Sequence, residues 1–167
     1  MAVANTKSTI ITNGDATPPV LTSSKITGGM YTREAVGTVE VAAADDDGSV
    51  YRMVRVPSNA RISKVEYAND AMTAATVYDL GVYRTAADGG AVVSQEAFAS
   101  DLDLSSAHAL TDVTFEATAT DISKIEQELW QRLGLTSDPG VMYDICFTGS
   151  TVGSAAGTIS LRVIGCW

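Results

Sequence analysis

From residue 36 to the end of the chain, apolar and polar side chains alternate with a period of two. Val39 and Val41 alternate with Thr38 and Glu40, and Tyr78, Leu80 and Val82 with Asp79 and Gly81. Val113, Phe115 and Ala117 alternate with Thr114 and Glu116, and Tyr143, Ile145 and Phe147 with Asp144 and Cys146. Ile159, Leu161 and Val163 alternate with Ser160 and Arg162. Successive side chains of a strand point to opposite faces, so such runs predict half-buried strands with one face in a core. Val65–Tyr67, a run from Val50 to Val56 and a short strand near Val92-Val93 bring the total to eight. Within Val50–Val56 the alternation is imperfect, because Arg52 and Arg55 fall on opposite faces.

Turn chemistry separates these runs: Asp45-Asp46-Asp47-Gly48, Pro57-Ser58-Asn59, Asp88-Gly89-Gly90, Asp138-Pro139-Gly140 and the Gly149–Gly157 stretch. Glycine supplies positive φ, proline presets φ, and aspartate bonds its own backbone. Eight short strands so punctuated predict an all-β protein, an eight-stranded jelly-roll β-sandwich. One short helix interrupts them at about 123–133. Ile122, Ile125, Leu129, Trp130 and Leu133 recur at helical spacing, Ser123 and Glu126 match a capping box with Asp121 as competing cap, and Gly134 is the stop.

The first 35 residues read differently. Residues 1–30 are rich in Thr, Ser, Asn and Gly, with Pro18-Pro19 and Gly28-Gly29 as breakers. The division is an extended N-terminal arm over 1–35 and a sandwich domain over 36–167. Thr9, Ile10, Ile11, Pro18, Pro19, Val20 and Leu21 are the candidate interface residues of the arm. Pro-Pro stiffens it, and the Ile10-Ile11 run is expected to add a strand to a partner's sheet edge. Trp167 is the remaining interface candidate, a terminal tryptophan anchored on its own chain or on another. Met1 to Lys7 has no basic-then-apolar pattern, so no signal peptide is expected.

Charge narrows the partners. Lys and Arg number 11 against 20 Asp and Glu, a net charge of −9, and no cation run exists to hold phosphates. Nucleic acid and membrane are therefore not expected partners, and no apolar run approaches the ~20 residues that span a bilayer. Cys146 and Cys166 make no disulfide framework, and a single bridge between them stays open.

No credible active site emerges, and no cofactor or metal is expected. His108 is the single histidine, with Ser105, Ser106 and Asp112 close only in sequence. Asp101 and Asp103 would lie about 7 Å apart on one strand face, a spacing a glycosidase can use, but their neighbours read as loop. Asp45-Asp46-Asp47 reads as a solvated hairpin tip, lacking the alternating ligands of a calcium loop.

Four segments together carry a resemblance: Ser49–Ile62 (SVYRMVRVPSNARI), Val77–Tyr83 (VYDLGVY), Leu129–Gly140 (LWQRLGLTSDPG) and Tyr143–Ile145 (YDI). They resemble the capsid cement, or head-decoration, proteins of tailed bacteriophages, particularly the jelly-roll type of short-tailed phages. The resemblance covers 36–167. It implies a non-enzymatic structural protein of the virion, made in the host bacterial cytoplasm. It further implies a homotrimer on the outer capsid surface that clamps neighbouring subunits of the major capsid protein. The second reading is a carbohydrate- or receptor-binding β-sandwich module using Tyr31 or Trp167. The third is a small hydrolase using Asp101 and Asp103 or His108.

Overall fold

The structure is a computed structural model and describes residues 7–27, 31–117 and 120–167. The sequence readings on Met1–Thr6 and on Gly28-Gly29 lie outside the described residues. The chain forms two compact units, Met1–Tyr31 and Thr32–Trp167.

The second unit is a sandwich of two four-stranded antiparallel sheets. Its strands are β1 (Thr32–Val41), β2 (Val50–Pro57), β3 (Arg61–Asn69), β4 (Val77–Arg84), β5 (Val92–Asp103), β6 (His108–Asp112), β7 (Met142–Thr151) and β8 (Gly157–Cys166). The sheet orders are β1-β8-β3-β6 and β2-β7-β4-β5. Only the β4–β5 hairpin joins neighbours of one sheet, and every other connection crosses the sandwich, which is jelly-roll topology. Alternation, with a register shift at Ser63 of β3, places Ile62, Val65 and Tyr67 of β3 and Ile159, Leu161 and Val163 of β8 against Tyr78, Leu80 and Val82 of β4 and Tyr143, Ile145 and Phe147 of β7. Phe147 meets Tyr67 of the opposite sheet and Tyr78 of its own edge-on, at ring separations of 6.2 and 6.4 Å.

Both ends of the sheets are held by backbone contacts. A Cβ on Gly37 of β1 would sit 2.1 Å from the Met53 carbonyl oxygen of β2, so only glycine lets these edges meet. On the other side, Val113 N–H donates to the Val65 carbonyl of β3 and Ala117 N–H to the Phe98 carbonyl of β5. Here the structure corrects the sequence reading. Residues 113–117 are not a strand; β6 lies just before them, and they bridge the two sheets. Val113 and Ala117 are buried because each docks on a different sheet, and Thr114 is buried between them because its Oγ1 accepts from Val65 N–H. The strand expected at Val92-Val93 extends to Asp103, so Asp101 and Asp103 are strand residues.

The helix expected over 123–133 is also corrected. A 3-10 turn spans Ile122–Lys124, and a single α-helical turn spans Leu129–Arg132. Asp121, not Ser123, is the cap: its Oδ1 accepts from Ser123 N–H at 2.8 Å. The break has a tertiary cause. Leu129 and Trp130 N–H donate to the Ala60 and Ser58 carbonyls of the β2–β3 turn, so those donors are not available to a longer helix. Gln131 Oε1 then accepts from Glu128 N–H, opening the new turn there.

In the first unit, Thr9–Asp15 forms helix α1 and Ser24–Thr27 a second helical turn, α2. The expectation of extended backbone at Thr9-Ile10-Ile11 is thereby corrected. Ser8 supplies the cap, its Oγ accepting from Ile11 N–H at 3.5 Å, and Thr12 Oγ1 donates back to the Ser8 carbonyl at 2.9 Å. These local bonds outweigh the β propensity of the isoleucines.

Candidate functional site

The seven arm residues proposed from sequence lie in the first unit, and Trp167 lies in the sandwich. Within the first unit the chain doubles back. Val20 N–H donates to the Asn13 carbonyl at 3.0 Å, and Asn13 Nδ2 donates to Thr22 Oγ1 at 2.9 Å. Thr9, Ile11, Pro18, Pro19 and Val20 are exposed, Ile10 is half-buried, and Leu21 is 99% exposed. Trp167 packs half-buried against the sandwich core. Tyr31, the other aromatic considered for a ligand platform, is 91% exposed.

The outer face of the β2-β7-β4-β5 sheet is closed by its own chain. Its centre is Asp144, whose side chain is 4% exposed. Arg55 Nε and Nη2 donate to its two oxygens at 2.6 and 3.1 Å, and Arg52 Nη1 donates at 2.9 Å. Strict alternation put these arginines on opposite faces; a β-bulge at Met53 brings them onto one. Arg52 also donates to the Arg84 and Gly90 carbonyls, which ties β2 to the β4–β5 hairpin. Burial raises the Asp144 pKa, but the hydrogen bonds from Arg55 and Arg52 outweigh it and hold the carboxyl below the usual range.

Asp79 does the same work on β4. Its carboxylate accepts from Gln95 Nε2 at 2.8 Å, Ser150 Oγ at 2.6 Å and Asp101 N–H at 3.0 Å. Gln95 reaches it because β5 carries extra residues between its pairings at Ser94 and Ala99, and this excess lies over Gly81. The motifs Tyr78-Asp79-Leu80 and Tyr143-Asp144-Ile145 are thus equivalent: tyrosine in the core, aspartate binding the outer face together. No such face was legible from either motif alone.

The acids singled out for chemistry serve turns. Asp45 Oδ2 accepts from Tyr51 Oη at 2.8 Å and Asp47 Oδ1 from Val152 N–H at 2.7 Å. Asp103 Oδ1 accepts from Ser105 N–H at 2.8 Å, and hydrogen bonds from Ser105 lower its pKa. Asp101 has φ of 52° and is held through its N–H by Asp79. His108 Nδ1 lies 2.9 Å from Asn69 Oδ1. Among the described residues no group of three or more His, Cys, Asp or Glu could hold a metal, and no helix is long and apolar enough to cross a membrane.

Cys146 and Cys166 are both free and buried, on strands of different sheets. Burial pushes the Cys146 thiol up to about 12, with Asp144 adding to it and Arg52 opposing it. A thiol that stays protonated is a poor nucleophile. In the folded protein at pH 8, Cys146 is expected to resist a disulfide reagent for hours and to react within minutes in urea, read by peptide mapping. Rapid native labelling of Cys146 would contradict the packing of this face.

No protein-family model matches this chain, and no curated protein matches it in sequence. Two solved structures share its fold. One is a chain of the capsid asymmetric unit of cyanophage Pam1, with TM-score 0.52 and 14% identity, covering 82% of this chain and 85% of that one. The other is a chain of the capsid of Ralstonia phage GP4, with TM-score 0.57 and 12% identity, covering 81% of this chain and 84% of that one. By fold, then, this all-β sandwich is similar to chains found in the capsids of two bacteriophages.

Proposed function

We propose that this chain is a structural protein of a phage head, a cement or decoration protein that binds the outer capsid surface and stabilises contacts between major capsid subunits. The observation that carries this reading is the eight-stranded jelly roll, similar over about four-fifths of the chain to chains from two phage capsids. The role is structural rather than catalytic. Its partners are the major capsid protein and two further copies of itself, with neither nucleic acid nor membrane involved. Its place is the virion exterior after synthesis in the bacterial cytoplasm. Several weak contacts made at once give such a protein its avidity. Ile11, Val20 and Leu21, exposed apolar side chains of the first unit, contribute to those contacts, as do their neighbours Thr9, Ile10, Pro18 and Pro19, while Trp167 contributes from the sandwich.

The test is sedimentation of the purified protein with heads assembled without it. The full chain is expected to co-sediment and to show a solution mass near three times 17.4 kDa. Deleting residues 1–31 is expected to leave a folded sandwich, since β1 starts at Thr32, and to weaken head binding at least tenfold. A full chain that stays in the supernatant at micromolar concentration would refute the reading.

A further inference from the structure

The outer face of the β1-β8-β3-β6 sheet contrasts with the closed face opposite. Its side chains are mostly accessible: small hydroxyls at the centre, charged side chains around them, and exposed Val36 on β1 and Leu110 on β6. Thr38 of β1 bonds Ser160 of β8 at 3.0 Å, and Thr158 Oγ1 donates to Glu40 Oε2 at 2.8 Å. Ala68 of β3 lies opposite Ser160, so the centre of the face is flat. Charge on the face is uneven. Arg162 is shared by Glu34 and Glu66, and Lys64 also takes Glu66. Glu40, Asp70 and Asp112 add three carboxylates that make no ion pair among the described residues, so the face carries a negative excess.

A cavity of about 170 Å³ opens among Ala68, Asn69, Asp70, His108, Thr158 and Ser160. The hydrogen bonds determine what its lining offers. Asn69 Nδ2 faces the carbonyls of Asp70, Leu104 and Ser106 at 2.7, 3.2 and 2.9 Å, which fixes the amide orientation. Asn69 Oδ1 is therefore the atom facing His108 Nδ1, and as it can only accept, Nδ1 carries the proton. In the neutral ring Nε2 is left as an acceptor. Thr158 Oγ1 spends its proton on Glu40 and retains its lone pairs. The Asp70 carboxylate can only accept. Three of the lining residues thus offer acceptors, under a negative field.

A group with donors only and a positive charge matches that lining, and a lysine ammonium on its narrow stem is such a group. We propose that this open sheet face seats a partner protein through a lysine whose ammonium enters the cavity beside Asp70 and His108, with Glu40 behind it. This deepens the head-protein reading and rests on it: the partner is a capsid subunit presenting lysine to an acidic decoration protein. Opposite charges across such a contact also speed encounter and set orientation.

Two readouts separate this surface from the broader reading. The full-length ¹⁵N-labelled protein is titrated with a capped Lys-Gly-Lys-Gly-Lys peptide and with its Glu counterpart. The lysine peptide is expected to shift the amides of Asn69, Asp70, His108, Thr158 and Ser160, and the glutamate peptide to leave them in place. Equal shifts at the Asp45–Asp47 turn, or none at the cavity, would overturn the proposal whatever the heads do. In the head-sedimentation assay, E40K/D70K is expected to bind at least tenfold more weakly than wild type, and E40Q/D70N severalfold more weakly, both with wild-type melting temperatures. Wild-type binding with both variants within twofold of it would overturn this surface and leave the head-protein reading standing.

Discussion

Replacing Asp144 with alanine is expected to lower the unfolding free energy by about 3 kcal/mol, measured by urea denaturation. The size follows from what remains. Asp144 is the shared acceptor of Arg52 and Arg55, and its removal leaves Arg52 bonded only to the Arg84 and Gly90 carbonyls while its charge stays partly buried. Arg55 is 53% exposed and recovers its hydration, which keeps the loss at the lower end for a broken buried pair. The same residue sets a pH dependence. A carboxyl whose folded pKa lies below its unfolded value stabilises fully above the unfolded pKa, about 3.9, and loses that contribution as pH falls through the folded value. Wild type is therefore expected to lose stability below about pH 4 more steeply than Asp144→Asn. Parallel acid profiles, or a loss below about 1 kcal/mol for Asp144→Ala, would show that the clamp is not a stabilising element.

Phe147→Ala is expected to cost about 4 kcal/mol, within the range for large aromatic truncations in a core. Phe147 is fully buried, and its ring touches Tyr67 across the sandwich as well as Tyr78 beside it. The cavity would open at the layer where the sheets meet, and strands paired on both sides cannot move inward to fill it. An unchanged denaturant slope with a lower midpoint is the expected signature. A cost near 1 kcal/mol would mean that the two sheets repack freely.

The sandwich was legible in the sequence because its core obeys one rule: every second side chain of β4, β7 and β8 faces inward. What was not legible arises where backbones depart from that rule. The bulge at Met53 moves Arg55 to the face of Arg52; the broken alternation of Val50–Val56 marked an irregularity there but not its position or the carboxylate it serves. Gly81 reads as an ordinary polar-side position, yet a Cβ there would lie 2.1 Å from the Gln95 carbonyl that crosses above it. Residues 113–117 alternate in residue type like a strand, yet Val113 and Thr114 both bond Val65 of β3 and Ala117 bonds Phe98 of β5. Isoleucines 10 and 11 carry β propensity, but Ser8 and Thr12 settle the local backbone as helix. The candidate surface was less legible still. His108 and Asp70 stand far apart in sequence, and only the β3–β6 and β3–β8 pairings bring them to one cavity.

The strand order also bears on how the molecule is made. The two strands that hold the sheets together come last among the eight: β7 lies between β2 and β4, and β8 between β1 and β3. Until they emerge, β1 and β2 have no sheet partner, and β3 and β4, paired with β6 and β5, each keep one open edge. The sandwich therefore cannot close until its last two strands are made, and its folding is expected to be slow for its size, because its pairings join residues as distant as Thr32 and Cys166. A nascent chain in that state is a template for aggregation, and slower synthesis would prolong the exposure.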